Sequence, residues 1–329
     1  MMFKNVLLLI LISSNTFSQT TKSVSDHSYF DQPKPGSSPT LFAPGIVSDE
    51  YGNRDMAISP KGDELFYTIQ YRGGFAFSVI MYSKKVNGKW TKPEVASFSG
   101  QYNDEEPAFS PDGDKLYFSS NRPITGTEKK DFDIWYVEKG NDKWSEPKNM
   151  GSPVNTSKDE FYPSIAKSGN LYFTKVMDGK DEDIVVCKFS NNKYDTAVSL
   201  PGVINTKGAE FNAFVDPDEQ FIFFTGYKRK GNIGSGDIFI SSKNSNGEWE
   251  EAKNLGDKIN GAGNTYCPYV SPDKKYFFFT SSRGLFKTPF DKKQNFGELK
   301  SFMNSPWNGW DNIYWVDAKE FIYGEKIKE

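Results

Sequence analysis

One feature constrains the fold of this sequence more than any other: a twelve-residue segment that returns four more times along the chain. Ala57-Ile58-Ser59-Pro60-Lys61-Gly62-Asp63-Glu64-Leu65-Phe66-Tyr67-Thr68 is matched by Ala108-Phe109-Ser110-Pro111-Asp112-Gly113-Asp114-Lys115-Leu116-Tyr117-Phe118-Ser119. The pattern returns over Ser164–Thr174, Phe214–Thr225 and Tyr269–Thr280. Its closing hydroxyl residue falls at Thr68, Ser119, Thr174, Thr225 and Thr280, spacings of 51, 55, 51 and 55. The Ser-Pro-Asp-Gly core is turn chemistry, because Pro presets φ while Asp and Gly tolerate left-handed positions. Short apolar runs rich in Phe, Tyr and Ile on either side read as paired strands.

Each copy carries more than a hairpin. A third strand is expected at Val79–Tyr82, Ile134–Val137, Ile184–Cys187, Ile238–Ser241 and Ile313–Val316, introduced by Asp133, Asp183, Asp237 or Asn312 in the last four copies. A fourth is expected to open on Trp90, Trp144, Tyr194 and Trp249. Four short antiparallel strands at a period near 50 describe a propeller blade, and no 3.6-residue periodicity supports a helical solenoid. One blade has too little to bury, so blades must stack sideways and close. The fifth copy lacks a fourth strand, whereas Ala43-Pro44-Gly45-Ile46-Val47 echoes the Leu200-Pro201-Gly202-Val203-Ile204 stretch that ends a fourth strand. The expectation is an all-β, five-bladed propeller of four-stranded antiparallel blades, its ring closed by the segment around Thr40–Val47 pairing into the last blade.

The ends read differently. Lys4, the apolar run Val6–Ile12 and the small residues before Gln19 describe a secretory signal peptide over 1–18, too short in its apolar part to span a bilayer. An N-terminal tail (19–39), a single domain (40–318) with an insertion in its last blade (284–309) and a C-terminal tail (319–329) complete the expected organisation. The mature protein is expected to be exported, periplasmic or secreted, monomeric and without a transmembrane segment. A formal net charge of −3 with interspersed signs argues against a nucleic-acid partner. His27 is the only histidine, which removes His-ligated zinc, Ser-His-Asp triads and histidine general bases. Cys187 and Cys267 fall at non-equivalent repeat positions and read as two buried thiols. No dinucleotide-binding or P-loop motif is present, so no cofactor is expected; Ca²⁺ as a structural ion is the one exception that the acids would suit.

The tract Ser110 to Pro123 followed by Asp133-Ile134-Trp135, together with Lys143-Trp144-Ser145-Glu146-Pro147, Glu248–Gly256 and the C-terminal Asn312–Asp317, resembles the repeats of TolB-like propellers of the exported bacterial type, relatives of the WD-repeat class. The resemblance runs from about residue 40 to 318 and implies the fold. Such proteins include envelope scaffolds, binding modules and domains attached to enzymes, so it implies no single activity. The Tol-pathway propeller has six blades and a separate N-terminal domain, a difference that argues against a Tol role.

Small-ligand sites in propellers form where the loops entering the innermost strands converge. Alignment on the hairpin puts Asn53, Asp104, Glu160, Glu210 and Thr265 at one position and Arg54, Glu105, Phe161, Phe211 and Tyr266 at the next. Asp104, Glu160 and Glu210 are thereby expected to face a shared funnel and are the candidate catalytic acids. Arg54, Asp55, Glu105, Tyr266, Trp307 and Trp310 are the candidate ligand-binding residues, and no metal site is expected. An acid- and aromatic-lined mouth suits a protein or carbohydrate partner, and the primary reading is a binding or scaffold protein rather than an enzyme. The alternative is a glycoside hydrolase, whose chemistry needs only an acid and a carboxylate and no histidine. Against both stands a blander reading, in which acids repeated in each blade hold the loops together. Arg122 and Arg283 are expected to pair with the Asp that opens the third strand, and Trp90, Trp144 and Trp249 to pack between blades.

Overall fold

The computed structural model describes residues 29–323 apart from 72, 74–75, 129, 142, 180 and 284–288. The expected signal peptide, His27 and the start of the last-blade insertion lie outside the described residues.

Five antiparallel sheets follow one another in a ring. Blade 1 runs outward from the axis through Gly52–Ile58, Glu64–Tyr71, Phe77–Val86 and Glu94–Val95. Blade 2 uses Asp104–Phe109, Lys115–Ser120, Asp133–Glu138 and Lys148–Asn149. Blade 3 uses Glu160–Ile165, Leu171–Val176, Glu182–Cys187 and Val198–Ser199. Blade 4 uses Ala209–Val215, Phe221–Tyr227, Gly236–Ser242 and Lys253–Asn254. Blade 5 has Thr265–Val270, Tyr276–Ser281 and Asn312–Asp317, and its outer strand is Thr40–Leu41, which pairs Thr40 with Trp315 and Leu41 with Tyr314. The sheet edges at the two ends of the domain thus satisfy each other.

The second strand shows why the repeat reads Leu-Tyr-Phe. Alternate residues point to opposite faces of a sheet, and each face packs against a different neighbouring blade. Leu65 and Tyr67 enter a cluster with Phe278 and Trp315 of blade 5, whereas Phe66 between them enters one with Leu116 and Phe118 of blade 2. Phe277 and Phe279 likewise turn to blade 4 while Phe278 turns to blade 1. A strand apolar on both faces is therefore required, because both faces are interior. Packing extends upstream of the ring to Tyr29, which is buried against Phe42, Trp90, Phe278 and Trp315 at the seam between blades 5 and 1.

The outer strands correct one expectation. Trp90 and Tyr194 do not open them; they sit in short hairpins that extend the third strand, and Trp144 and Trp249 hold equivalent single bridges. The true outer strands begin a few residues later and are two residues long. Beyond them a side chain takes over the ladder: the Ser99 hydroxyl accepts the Ile80 amide in blade 1, and an asparagine serves in blades 2, 3 and 4. Asn155 accepts from the Ile134 amide and donates to the Ile134 carbonyl, both at 2.9 Å. Asn205 does the same to Ile184 and Asn260 to Ile238. Trp144 and Trp249 pack between blades, Trp144 against Phe66 of blade 1 and Trp249 on a cluster shared by blades 3 and 4, whereas Trp90 stacks on Phe30 of the segment ahead of the ring. Both cysteines are free, buried thiols.

Candidate functional site

Each innermost strand is broken at one point. Its register with the second strand shifts between Arg54 and Met56, Glu105 and Ala108, Phe161 and Ser164, Phe211 and Phe214, and Tyr266 and Tyr269. Within each shift one residue has a positive φ: Asp55 (36°), Glu106 (62°), Tyr162 (49°), Asn212 (50°) and Cys267 (51°). These are β-bulges, and a non-glycine residue in this region costs on the order of 1 kcal/mol or more. The repeated hydroxyl offsets part of that cost. Thr280 accepts the Asp55 amide at 3.1 Å, Thr68 the Glu106 amide at 3.2 Å and Thr174 the Asn212 amide at 3.0 Å, each from the next blade. At Thr68, Thr174 and Thr280 the marker residue of the sequence repeat is an inter-blade staple, whereas the Thr225 hydroxyl has no hydrogen-bond partner among the described residues. Between blades 2 and 3 the Glu106 carboxylate substitutes for it, taking the Tyr162 amide at 2.7 Å and the Ser119 hydroxyl at 3.4 Å.

The bulges bring the five residues together on the axis. Arg54 Nη2 meets Glu106 Oε1 at 2.5 Å, Arg54 Nε meets Asp55 Oδ2 at 3.0 Å, and Arg54 Nη1 lies 3.7 Å from Glu105. Asn212 donates to Glu106 Oε1 at 3.0 Å, and the Tyr162 hydroxyl crosses to the Pro268 carbonyl at 3.0 Å. All five bulge residues are buried. Burial pushes the Asp55 carboxyl up to about 6, with Arg54 opposing. Burial also pushes Glu106 up to about 8; Arg54 again opposes, and the nearby Glu105 and Asp55 charges add to the rise. Burial raises the Cys267 thiol as well, with Arg54 opposing.

Above this plug, on the face where loops enter the innermost strands, lies a cavity of about 220 Å³. Phe161, Phe211 and Tyr266 supply aromatic wall, and Glu105, Glu182 and Asp311 supply carboxylates. Arg54 lies under the Tyr266 ring, 5.4 Å from its centroid, and the Tyr266 hydroxyl donates to Asp311 at 2.8 Å. Glu182, at the start of the third strand of blade 3, differs from the others: among the described residues its carboxylate has no hydrogen-bond or ion-pair partner. Burial raises its pKa. Trp310 lines an adjoining crevice with Arg54, Tyr266 and Asp311. Trp307 is 47% exposed and, with Phe296 (82%) and Met303 (64%), forms part of the insertion around the helix Phe296–Met303.

The three expected catalytic acids do not join this cavity. Asp104, Glu160 and Glu210 are fully enclosed, and each is bonded inside its own blade. Asp104 accepts from Arg122 and Ser120 at 2.6 Å and from Ser99 at 2.8 Å. Glu160 accepts from the Thr156 amide and hydroxyl, and Glu210 from those of Thr206 and from Arg229 at 3.1 Å. They tie down the loop entering the innermost strand, because alternation along the strand turns this position away from the axis. The arginine pairing is corrected with them: Arg122 bonds the first-strand Asp104, while Asp133 is held by Lys130 and Asn149. Blade 5 has Thr265 in place of the acid, and Arg283 donates to the Lys258 carbonyl instead. Of the candidate ligand-binding residues, Arg54, Glu105, Tyr266 and Trp310 converge at the mouth, Asp55 sits in the plug beneath, and Trp307 is exposed on the insertion.

Sequence reasoning missed Glu106, Tyr162, Asn212, Cys267, Glu182 and Asp311. A signal existed for four of them. Glu106-Pro107, Tyr162-Pro163 and Cys267-Pro268 each put a proline inside the innermost strand, an edge strand where proline interrupts the ladder and often marks a bulge, and Asn212 follows by alignment.

No protein-family model and no curated protein matches the sequence. Solved structures do match. A glycoside hydrolase aligns with a TM-score of 0.53 at 10% identity, covering 87% of this chain and 92% of its own. A complex of BT0996 with RGII aligns at 0.52 and 11% identity, covering 86% and 91%. A putative TolB from Agrobacterium tumefaciens aligns at 0.46 and 15% identity, covering 74% and 73%. The first two share the fold of this chain. Among the described residues no group of three or more His, Cys, Asp and Glu is placed to hold a metal ion, and no helix is long and apolar enough to cross a membrane.

Proposed function

We propose that the chain is an exported binding protein that captures a carbohydrate at the loop-face mouth. The observation that carries the reading is the Glu182 carboxylate, unpartnered among the described residues and facing a cavity walled by Phe161, Phe211 and Tyr266. Aromatic faces stack on the C–H faces of a sugar ring, and ionised carboxylates accept its hydroxyl protons. Such sites are concave and largely preformed, with few well-placed polar groups. Here the axial plug preforms the floor, since Arg54 is fixed by Asp55, Glu105 and Glu106 before any ligand arrives.

The glycosidase alternative rests on a different observation: Glu182, raised by burial, and Asp311 line one cavity. A carboxyl whose pKa is raised, set beside a second carboxylate, is the kind of pairing that glycoside hydrolysis uses. Binding is favoured because Asp311 is engaged by Tyr266 and the buried acids are committed to structure.

A melting-temperature screen of the mature chain against a glycan panel tests both readings, since a ligand of the native state raises the melting temperature by mass action. A glycan-specific shift that Glu182→Gln and Phe211→Ala each reduce supports the reading. A shift that neither variant changes refutes the mouth as the site. Reducing-end product formed by the wild type and lost in Glu182→Gln would move the assignment to hydrolysis.

A further inference from the structure

The opposite end of the axis carries a second cavity, of about 240 Å³, among the hairpin turns. We propose that this is a separate binding site for a small apolar molecule about the size of one or two aromatic rings. Its walls are built from Pro60, Pro107, Pro111, Pro163, Pro217 and Pro272. Proline has no N–H, so this ring of residues offers a ligand apolar surface without backbone donors, and its fixed φ keeps the walls rigid. Met56, Ile58, Ile165, Phe214 and Val215 fill the spaces between.

The polar side chains that reach the cavity are already spent. At the rim Lys167 is paired with Asp218 at 2.9 Å and Lys274 with Asp216 at 2.6 Å. On the wall the Tyr269 hydroxyl donates to the Ile58 carbonyl at 3.1 Å and accepts its amide at 2.9 Å. Ser164 accepts the Val215 amide, while Ser110 and Ser271 bond Asp112 and Asp273. On the floor Tyr162 donates to Pro268, and Glu106 accepts from Arg54, Asn212, Ser119 and the Tyr162 amide. Four donors fill the acceptor sites of a carboxylate. A sugar or peptide entering here would lose hydration and gain few partners away from the rim, whereas an apolar ring loses little, and cavities with apolar linings take up such rings. The volume lies just below the usual range for drug-sized ligands, which sets the size class. The two mouths have opposite chemistry, and the axial plug separates them.

Methyl-labelled mature protein titrated with toluene and with indole tests the proposal. Saturable binding is expected, with intermolecular NOEs from the probe to the methyls of Met56, Ile58, Ile165 and Val215. NOEs confined to other methyls, or no saturable binding of either probe, overturn it. Ala108→Phe, which fills the cavity, and Phe214→Glu, which puts a charge in its wall, are each expected to weaken binding at least about tenfold. Unchanged affinity in a variant with wild-type circular dichroism also overturns the proposal. The wild-type NOE map decides the question even where a variant fails to fold.

Discussion

Removing the Glu106 side chain should unfasten the axis of the ring, and the size of the effect can be worked from its partners. Arg54, Asn212, the Tyr162 amide and Ser119 all donate to this one carboxylate. In Glu106→Ala, Arg54 keeps Asp55 and Glu105, and Ser119 holds only a long bond that its hydroxyl can leave by rotating. The Asn212 amide group and the Tyr162 N–H have no second acceptor among the described residues. Each orphaned buried donor costs roughly 1–3 kcal/mol. The space left by the side chain adds about 1–2 kcal/mol unless water refills it. The total, about 3–8 kcal/mol, is a large share of the 5–15 kcal/mol typical of a folded domain. Urea unfolding followed by tryptophan fluorescence measures it. With m near 3 kcal/mol/M or somewhat above, the midpoint should fall by about 1–2.5 M. A loss below about 1 kcal/mol would refute the claim that this carboxylate fastens the five blades. The pair Arg54→Met with Glu106→Met refines the test: because the two side chains meet directly, the double change should cost less than the sum of the two single changes.

The pH dependence follows from the same cluster. Asp55 and Glu106 bind protons more tightly folded than unfolded, so ionising them opposes the fold, and stability should fall as pH rises from about 4 to 8. Unfolding free energies across that range check it, and Glu106→Ala should flatten the upper half. Tyr29→Ala should cost about 3–5 kcal/mol by emptying the seam between blades 5 and 1, seen as an early step in thermal unfolding. Asn205→Ala should cost about 1–3 kcal/mol, since the Ile184 amide loses its acceptor while the Ile184 carbonyl keeps the Leu200 amide, and hydrogen exchange at the Ile184 amide should quicken. Asp104→Ala strands Arg122 in a buried site and should cost about 3–5 kcal/mol without changing ligand binding at the mouth, which a melting screen with and without glycan resolves.

The sequence alone determined the blade count, the hairpin of each blade and the closure of the ring by the segment around Thr40. These rest on local chemistry: Pro and Gly in turns, and strands apolar on both faces because neighbours cover both. Even the hydroxyl at Thr68, Thr174 and Thr280 was visible as a marker, though not as the acceptor of an amide in the next blade. Only the tertiary structure decided which acids meet. Asp104 and Glu106 are two residues apart, and regular alternation would turn both the same way. The bulge between Glu105 and Ala108 breaks that alternation, sending Asp104 to Arg122 in its own blade and Glu106 to the axis. Glu182 and Asp311 were equally hidden, because they come from third-strand loops of different blades and reach one cavity only when the ring closes. Repetition in the sequence reports what each blade needs for itself, while the site is made of residues that differ from blade to blade and meet only on the shared axis.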